Sequence, residues 1–276
     1  MGLPSTGKST FLAALTYSLQ QMDLPTKLHW RRFTNDHQYL INLSTSWLEA
    51  TVLSRTNESM QKNALTIELK DEEENEYLVT FPDLSGEIFQ RQYKDREMDW
   101  EIVEAIKNSD GIMLFVNPAE IYEPEFIANI HEEVRRIEGG DSIDLNQEPR
   151  DVTSVQLVEL LQFVNYIKTE GKTRLIVVVS AWDLIIDYNN PEEFLRERLS
   201  LLWQYLKANS DIFDAYFYGV SAQGGKIEND SDSENLIQKY QYPVERISVV
   251  DNEGKIHHDL SKLLWHSMNS GGGESV

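Results

Sequence analysis

The sequence predicts an α/β domain whose sheet is mostly parallel and covered by helices on both faces. Three observations carry this. The apolar runs at 111–117 and 173–179 are continuous rather than alternating, as strands buried on both faces require. Stretches with helical periodicity separate the strands. The chemically suggestive clusters, at 83–87, 180–183 and 221–223, each follow a predicted strand, where open sheets of this kind bind ligands.

The chain is organised around its first ten residues. Gly2-x-x-x-x-Gly7-Lys8-Ser9 fits the phosphate-loop pattern G-x-x-x-x-G-K-[ST]. Its glycines let the backbone wrap around a triphosphate, with Gly2, Ser5, Thr6, Gly7 and Thr10 supplying the cradle. Lys8 places a charge on the β- and γ-phosphates, and the Ser9 hydroxyl can ligate Mg²⁺. Phe11, Leu12, Leu15 and Leu19 recur at helical spacing, so the loop opens onto a helix N-terminus over 8–23. Such a loop normally follows a buried strand, and only Met1 precedes Gly2; the expectation is a start placed too late, or a fragment, with the first strand missing. Gly2 and Thr6 also fit a myristoylation pattern. A glycine that turns around a phosphate cannot readily carry an acyl chain, so that reading is set aside.

Further along, Tyr39, Leu40, Leu43, Trp47 and Leu48 trace a helix face. Strands follow at 64–69 and 77–82, joined by a carboxylate-rich tip at 71–76 that reads as a solvated hairpin. Residues 88–98 are charged and aromatic, and 100–106 form a short amphipathic helix. Helices are expected at 123–137, 152–169 and 191–209. His131-Glu-Glu-Val-Arg135 resembles a zinc-protease motif but has arginine in place of the second histidine, so it fails. The last predicted strand, 215–220, runs into Ser221-Ala-Gln223. Residues 226–240 are polar and read as a linker. A hairpin about Asp251-Asn-Glu-Gly254, a helix over 259–268 and a loose tail close the chain.

The ordered set of phosphate loop, Asp83-x-x-Gly86, Ser180-Ala-Trp-Asp183 and Ser221-Ala-Gln223 resembles the G-motifs of Ras-like and translation-factor-class GTPases. The likeness covers most of residues 1–225. Pro82-Asp-Leu-Ser-Gly-Glu87 and the long insertions at 24–62 and 119–170 resemble bacterial conflict-system GTPases, including the double-GTPase type. The resemblance implies a three-layer P-loop NTPase fold over 1–225, followed by a linker, hairpin, helix and tail over 226–276. It implies that Asp83 holds Mg²⁺ through water, that Gly86 senses the γ-phosphate, and that a switch threonine, here assigned to Thr56, closes over the metal. Asp183 would meet the guanine edge and the Ala222 N–H its O6, with Ser180 and Ser221 also counted among the nucleotide-binding residues.

Two positions depart from the pattern. The usual [NT]-K-x-D is Ser180-Ala181-Trp182-Asp183, which removes the lysine stem that packs on the base; Trp182 is the candidate to cover the ring. Glu87 stands where relatives place a water-orienting glutamine. An ionised carboxylate is acceptor-only, so slow intrinsic hydrolysis, raised by a partner or a dimer, is expected. Lys8, Gly86 and Glu87 are thus the catalytic candidates. Arg55, Arg91 and Arg96 lie near the switches, but none is assigned as an arginine finger.

Composition narrows the partners. Lys plus Arg total 25 against 46 Asp plus Glu, a formal charge of −21. Such a surface repels nucleic acid and anionic lipid. No apolar run is long enough to span a membrane, and no secretory signal is visible, so the expected location is the cytoplasm. The chain has no cysteine, which excludes disulfides and thiolate chemistry. The expected ligands are GTP or GDP with Mg²⁺, and the expected output is a protein partner. Two alternatives stay open: a nucleotide-binding scaffold without hydrolysis, and a P-loop ATPase or kinase.

Overall fold

The computed structural model describes residues 1–21, 23–32, 37–51, 65–82, 86–123, 151–169 and 171–269. Thr56, Asp83 and residues 124–150 lie outside them, and so do the expectations attached to them. Among the described residues there are two sheets rather than one. The first is antiparallel, in the order β1 (His29–Arg32), β2 (Leu65–Lys70), β3 (Glu76–Phe81). The second holds β4 (Gly111–Val116), β5 (Thr173–Ser180), β6 (Phe213–Ser221), β7 (Ser248–Val250) and β8 (Ile256–His257). Only β4, β5 and β6 run parallel; β7 and β8 turn back as a hairpin. The mostly parallel sheet expected from the sequence is therefore corrected to a mixed one.

The continuous apolar run of β5 has a direct cause. Leu175, Val177 and Val179 face one buried cluster and Ile176 and Val178 the other, because successive side chains alternate across a strand. All five are fully buried, each contributing about 2 kcal/mol. On one face lie α1 (Lys8–Gln20), α2 (His37–Leu48) and α9 (Ser261–Met268), through Phe11, Leu40 and Leu263. On the other lie α4 (Trp100–Lys107), α5 (Thr153–Ile167), α6 (Pro191–Arg198) and α7 (Ser200–Ala208), through Ile102, Leu161, Phe194 and Leu202. The single helix expected at 191–209 is broken in two at Leu199, whose backbone leaves the helical region (φ −132°, ψ 50°).

Residues 226–240 are not a featureless linker. They contain α8 (Asp230–Lys239), started by a capping box in which Asn229 and Asp232 satisfy each other's backbone N–H groups. Only Leu236 of this helix is buried, so the sequence carries almost no apolar periodicity to reveal it. The segment at 88–98 likewise holds a helix, α3 (Glu87–Asp95).

Between β3 and β4 lies a cleft of about 680 Å³, lined by Tyr77, Val79 and Phe81 on one side and Gly111, Ile112 and Met113 on the other. Met1 enters its end. Its α-ammonium donates to the Met113 carbonyl at 2.6 Å, and the Phe115 N–H donates to the Met1 carbonyl at 2.9 Å. Those two bonds form a parallel bridge opposite Leu114. Met1 is thus strand-like, and the phosphate loop departs directly from β4's edge.

Candidate functional site

The loop at 2–8 takes its shape from three residues with positive φ: Gly2 (151°), Ser5 (59°) and Gly7 (83°). A Cβ on Gly2 would sit 2.7 Å from the Phe115 carbonyl oxygen, so only glycine fits there. Gly7 is the N-cap of α1, and its carbonyl accepts the first helical bond from the Phe11 N–H at 2.9 Å. Lys8 is 4% exposed. Its Nζ donates to the carbonyls of Gly2 (2.9 Å) and Leu3 (2.8 Å) and to Thr6 Oγ1 (3.2 Å). The Thr6 hydroxyl donates to the Leu3 carbonyl at 2.8 Å. The lysine charge thus lies inside the loop, solvated by the loop's own oxygens.

Ser5, Thr6, Gly7, Lys8, Ser9 and Thr10 share one cavity of about 390 Å³ with Ser180, Ala181, Asp183, Ala222, Gln223 and Glu87. The ends of β5 and β6 and the start of α3, all distant from the phosphate loop in sequence, therefore meet it in one space. The Ser180 hydroxyl donates to the Val116 carbonyl at 3.1 Å, fixing β5's end against β4's. Ala181 is in the left-handed region (φ 48°, ψ 40°), which costs a non-glycine residue roughly 1 kcal/mol. It starts a short 3₁₀ turn at Trp182–Leu184 that leaves the Asp183 side chain exposed at the cavity.

Several expected residues sit elsewhere. Trp182 does not cover the cavity. It is buried edge-on against Phe194, centroids 6.1 Å apart, and packs on Gly219, where a Cβ would meet its ring at 2.3 Å. Ser221 is 2% exposed and does not line the cavity; its Oγ accepts the Gly224 N–H at 3.1 Å and shapes the turn. Gly2 and Gly86 stand behind the cavity rather than in its wall. Gly86 (φ 85°) backs onto the loop, since a Cβ there would lie 2.5 Å from the Leu3 carbonyl carbon. Glu87 follows as the first residue of α3. Neither Arg91 nor Arg96 lines the cavity; Arg96 is ion-paired with Glu159 on α5.

Sequence reasoning missed two supports. Asn117 Nδ2 donates to the Ser5 carbonyl at 2.8 Å. Trp47 Nε1 donates to the Ala222 carbonyl at 2.8 Å. The amide nitrogen of Gln223 is buried at the cavity with no hydrogen-bond partner among the described residues. The first two bridge 112 and 175 residues, so no local pattern could have shown them.

Comparison with known families decides the class. A family model described as Double-GTPase 1 matches residues 1–266. The chain belongs to the Double-GTPase 1 family. Membership in this GTPase family brings P-loop nucleotide binding; the phosphate loop, Asp183 and Ala222 line one cavity. A search of curated proteins returned no match. Among the described residues of this double-GTPase chain, no helix is long and apolar enough to cross a membrane.

The cavity's donor set can be tested against Mg²⁺. This cation takes oxygen ligands and, beside a nucleotide, needs only one or two protein groups together with phosphate oxygens. The Ser9 hydroxyl lines the cavity one residue after Lys8 and suits that role. Asp83 and Thr56, the other two expected ligands, lie outside the described residues, and no cluster of three His, Asp or Glu side chains forms a metal site among the described ones.

Proposed function

We propose that the chain is a Mg²⁺-dependent GTP-binding and GTP-hydrolysing switch that acts on a protein partner in a bacterial conflict system. One observation carries this reading. The phosphate loop and the Asp183 carboxylate line the same cavity, a charge arrangement suited to a ligand with an anionic end and an end carrying N–H donors. Guanine offers two such donors to a carboxylate. Lys8 would exchange its three loop oxygens for the β- and γ-phosphates, and Ser9 would hold Mg²⁺, which neutralises phosphate charge when bound. Gly86, packed on Leu3, would carry the state of the phosphate loop into α3.

Binding of GTP, GDP and ATP to the whole chain, measured by calorimetry with Mg²⁺, tests the reading. Guanine preference that falls at least tenfold in Asp183→Asn, with triphosphate binding abolished in Lys8→Ala, is the expected result. Equal affinity for ATP and GTP would sink it.

A second reading is favoured by Glu87, which lines the cavity and carries a carboxylate in place of an amide: the chain binds GTP and turns it over little or not at all, as a scaffold. Single-turnover phosphate release with Glu87→Gln separates the two. A rise in rate supports a slow GTPase, and no release from either form supports the scaffold.

A further inference from the structure

We infer that Trp47 sets the base specificity of this cavity by holding one peptide group of the Ala222 loop in a single orientation. The inference rests on the guanine-nucleotide reading above. A trans peptide points its C=O and N–H in opposite directions. The Ala222 carbonyl accepts the Trp47 indole N–H at 2.8 Å, a buried bond, and is therefore turned away from the cavity that Ala222 and Gln223 line. The loop then offers the N–H of the same peptide group, that of Gln223, rather than that carbonyl, to an incoming base. Guanine presents an acceptor, O6, where adenine presents an amino donor. A peptide group locked with its N–H forward favours guanine; one free to rotate would offer its carbonyl to the adenine amino group as well.

Trp47 is itself rigidly placed. It is fully buried and packs on Tyr17 of α1 with ring centroids 4.9 Å apart. The Arg246 guanidinium lies over its ring at 5.4 Å. One nitrogen of that group, Nη1, also donates to the Trp47 and Leu48 carbonyls at 3.1 Å each, closing the C-terminal end of α2. Arg246 also packs on the loop: a Cβ on Gly224 would meet its Cα at 2.9 Å. The loop is thus held by α2 and by the segment after α8, not by β6 alone. Trp47 touches no ligand in this scheme; it is a positioning residue.

The test is Trp47→Phe, which keeps an aromatic ring and removes the N–H. Affinities for GTP, ATP and inorganic triphosphate are measured against the parent chain. The expected result is a loss of about tenfold for GTP, the size of one well-made hydrogen bond, with ATP unchanged or tighter and triphosphate unchanged. A merely structural role would weaken all three together, and that result, or an unaltered GTP-to-ATP ratio, overturns the inference. Should Trp47→Phe not fold, Arg246→Lys loosens the same ring and is read by the same ratio. A parent chain that prefers no nucleotide base would instead overturn the functional reading, and this inference with it.

Discussion

Asn117, at the end of β4, donates its side-chain amide to the Ser5 carbonyl 2.8 Å away. Its own Oδ1 accepts the Ala119 N–H at 3.1 Å and caps the turn that follows. The tip of the phosphate loop is therefore tied to the strand beside it, and Ser5 is held at a φ of 59° that an unbranched polar residue adopts only with support. Asn117→Ala removes the tie. Triphosphate affinity should fall about five- to tenfold, as one hydrogen bond is worth about 1 kcal/mol. The GTP-to-ATP ratio should not change, because the base loop is untouched. Titration of both nucleotides checks it, and a changed ratio would contradict the division of labour between loop and base site.

Gly86 separates a steric effect from a conformational one. A Cβ there meets Leu3 and Pro4 backbone atoms at 2.5–2.6 Å and the residue has a φ of 85°. Gly171 has a similar φ, 74°, with nothing within 4 Å of its Cβ position. Gly171→Ala should cost only the left-handed strain, about 1–2 kcal/mol. Gly86→Ala should cost more and should also weaken triphosphate binding at least tenfold, since the phosphate loop must move aside. Thermal melts together with binding curves distinguish the two; equal effects on stability and none on binding would show the contact to be yielding.

Met1 lays one rung of a parallel ladder opposite Leu114 at the end of the cleft between β3 and β4. Six apolar, β-branched residues joined to its nitrogen would continue that ladder along Met113 and Gly111. The extended chain should melt several degrees higher, and hydrogen exchange should slow at the amides of Met113 and of β3. The same extension carrying two prolines cannot donate to the ladder and should leave both unchanged. Equal behaviour of the two extensions would show that the cleft does not take a strand.

The backbone-dictated parts of this protein were legible in its sequence. Glycines 2, 7 and 86 stand where positive φ or close approach demands them, and the apolar run of β5 announced a strand buried on both faces. What stayed hidden depends on contacts between distant residues. Trp182 read as a cover for the base, and Gly219 across the sheet instead opens a core slot for its ring. β1 carries two arginines and no apolar alternation; it exists because β2 pairs with it. The antiparallel return of β7 depends on the Asp251 turn, whose carboxylate accepts the Glu253 and Lys255 N–H groups at 2.9 Å each. The sequence showed that hairpin but not the sheet edge it joins.

Mild acid should destabilise the fold through α9. His266 is packed against Tyr216 at 4.1 Å between ring centroids, and its Nδ1 lies 2.7 Å from the Tyr218 hydroxyl. Arg174 and Asp214 are the charged groups around it. Burial first, and then the Arg174 charge, hold its pKa below the ordinary 6.5, while Asp214 opposes them weakly. A depressed base binds fewer protons folded than unfolded, so its contribution is fully present above 6.5 and is lost as pH falls through the folded value. His257 is depressed too, chiefly by burial, so it adds to the same slope. The melting temperature should therefore drop between about pH 7 and pH 5. His266→Phe should flatten that drop in part and leave the His257 share. An unchanged slope in the variant would mean that Asp214 outweighs burial and that His266 takes up its proton without cost.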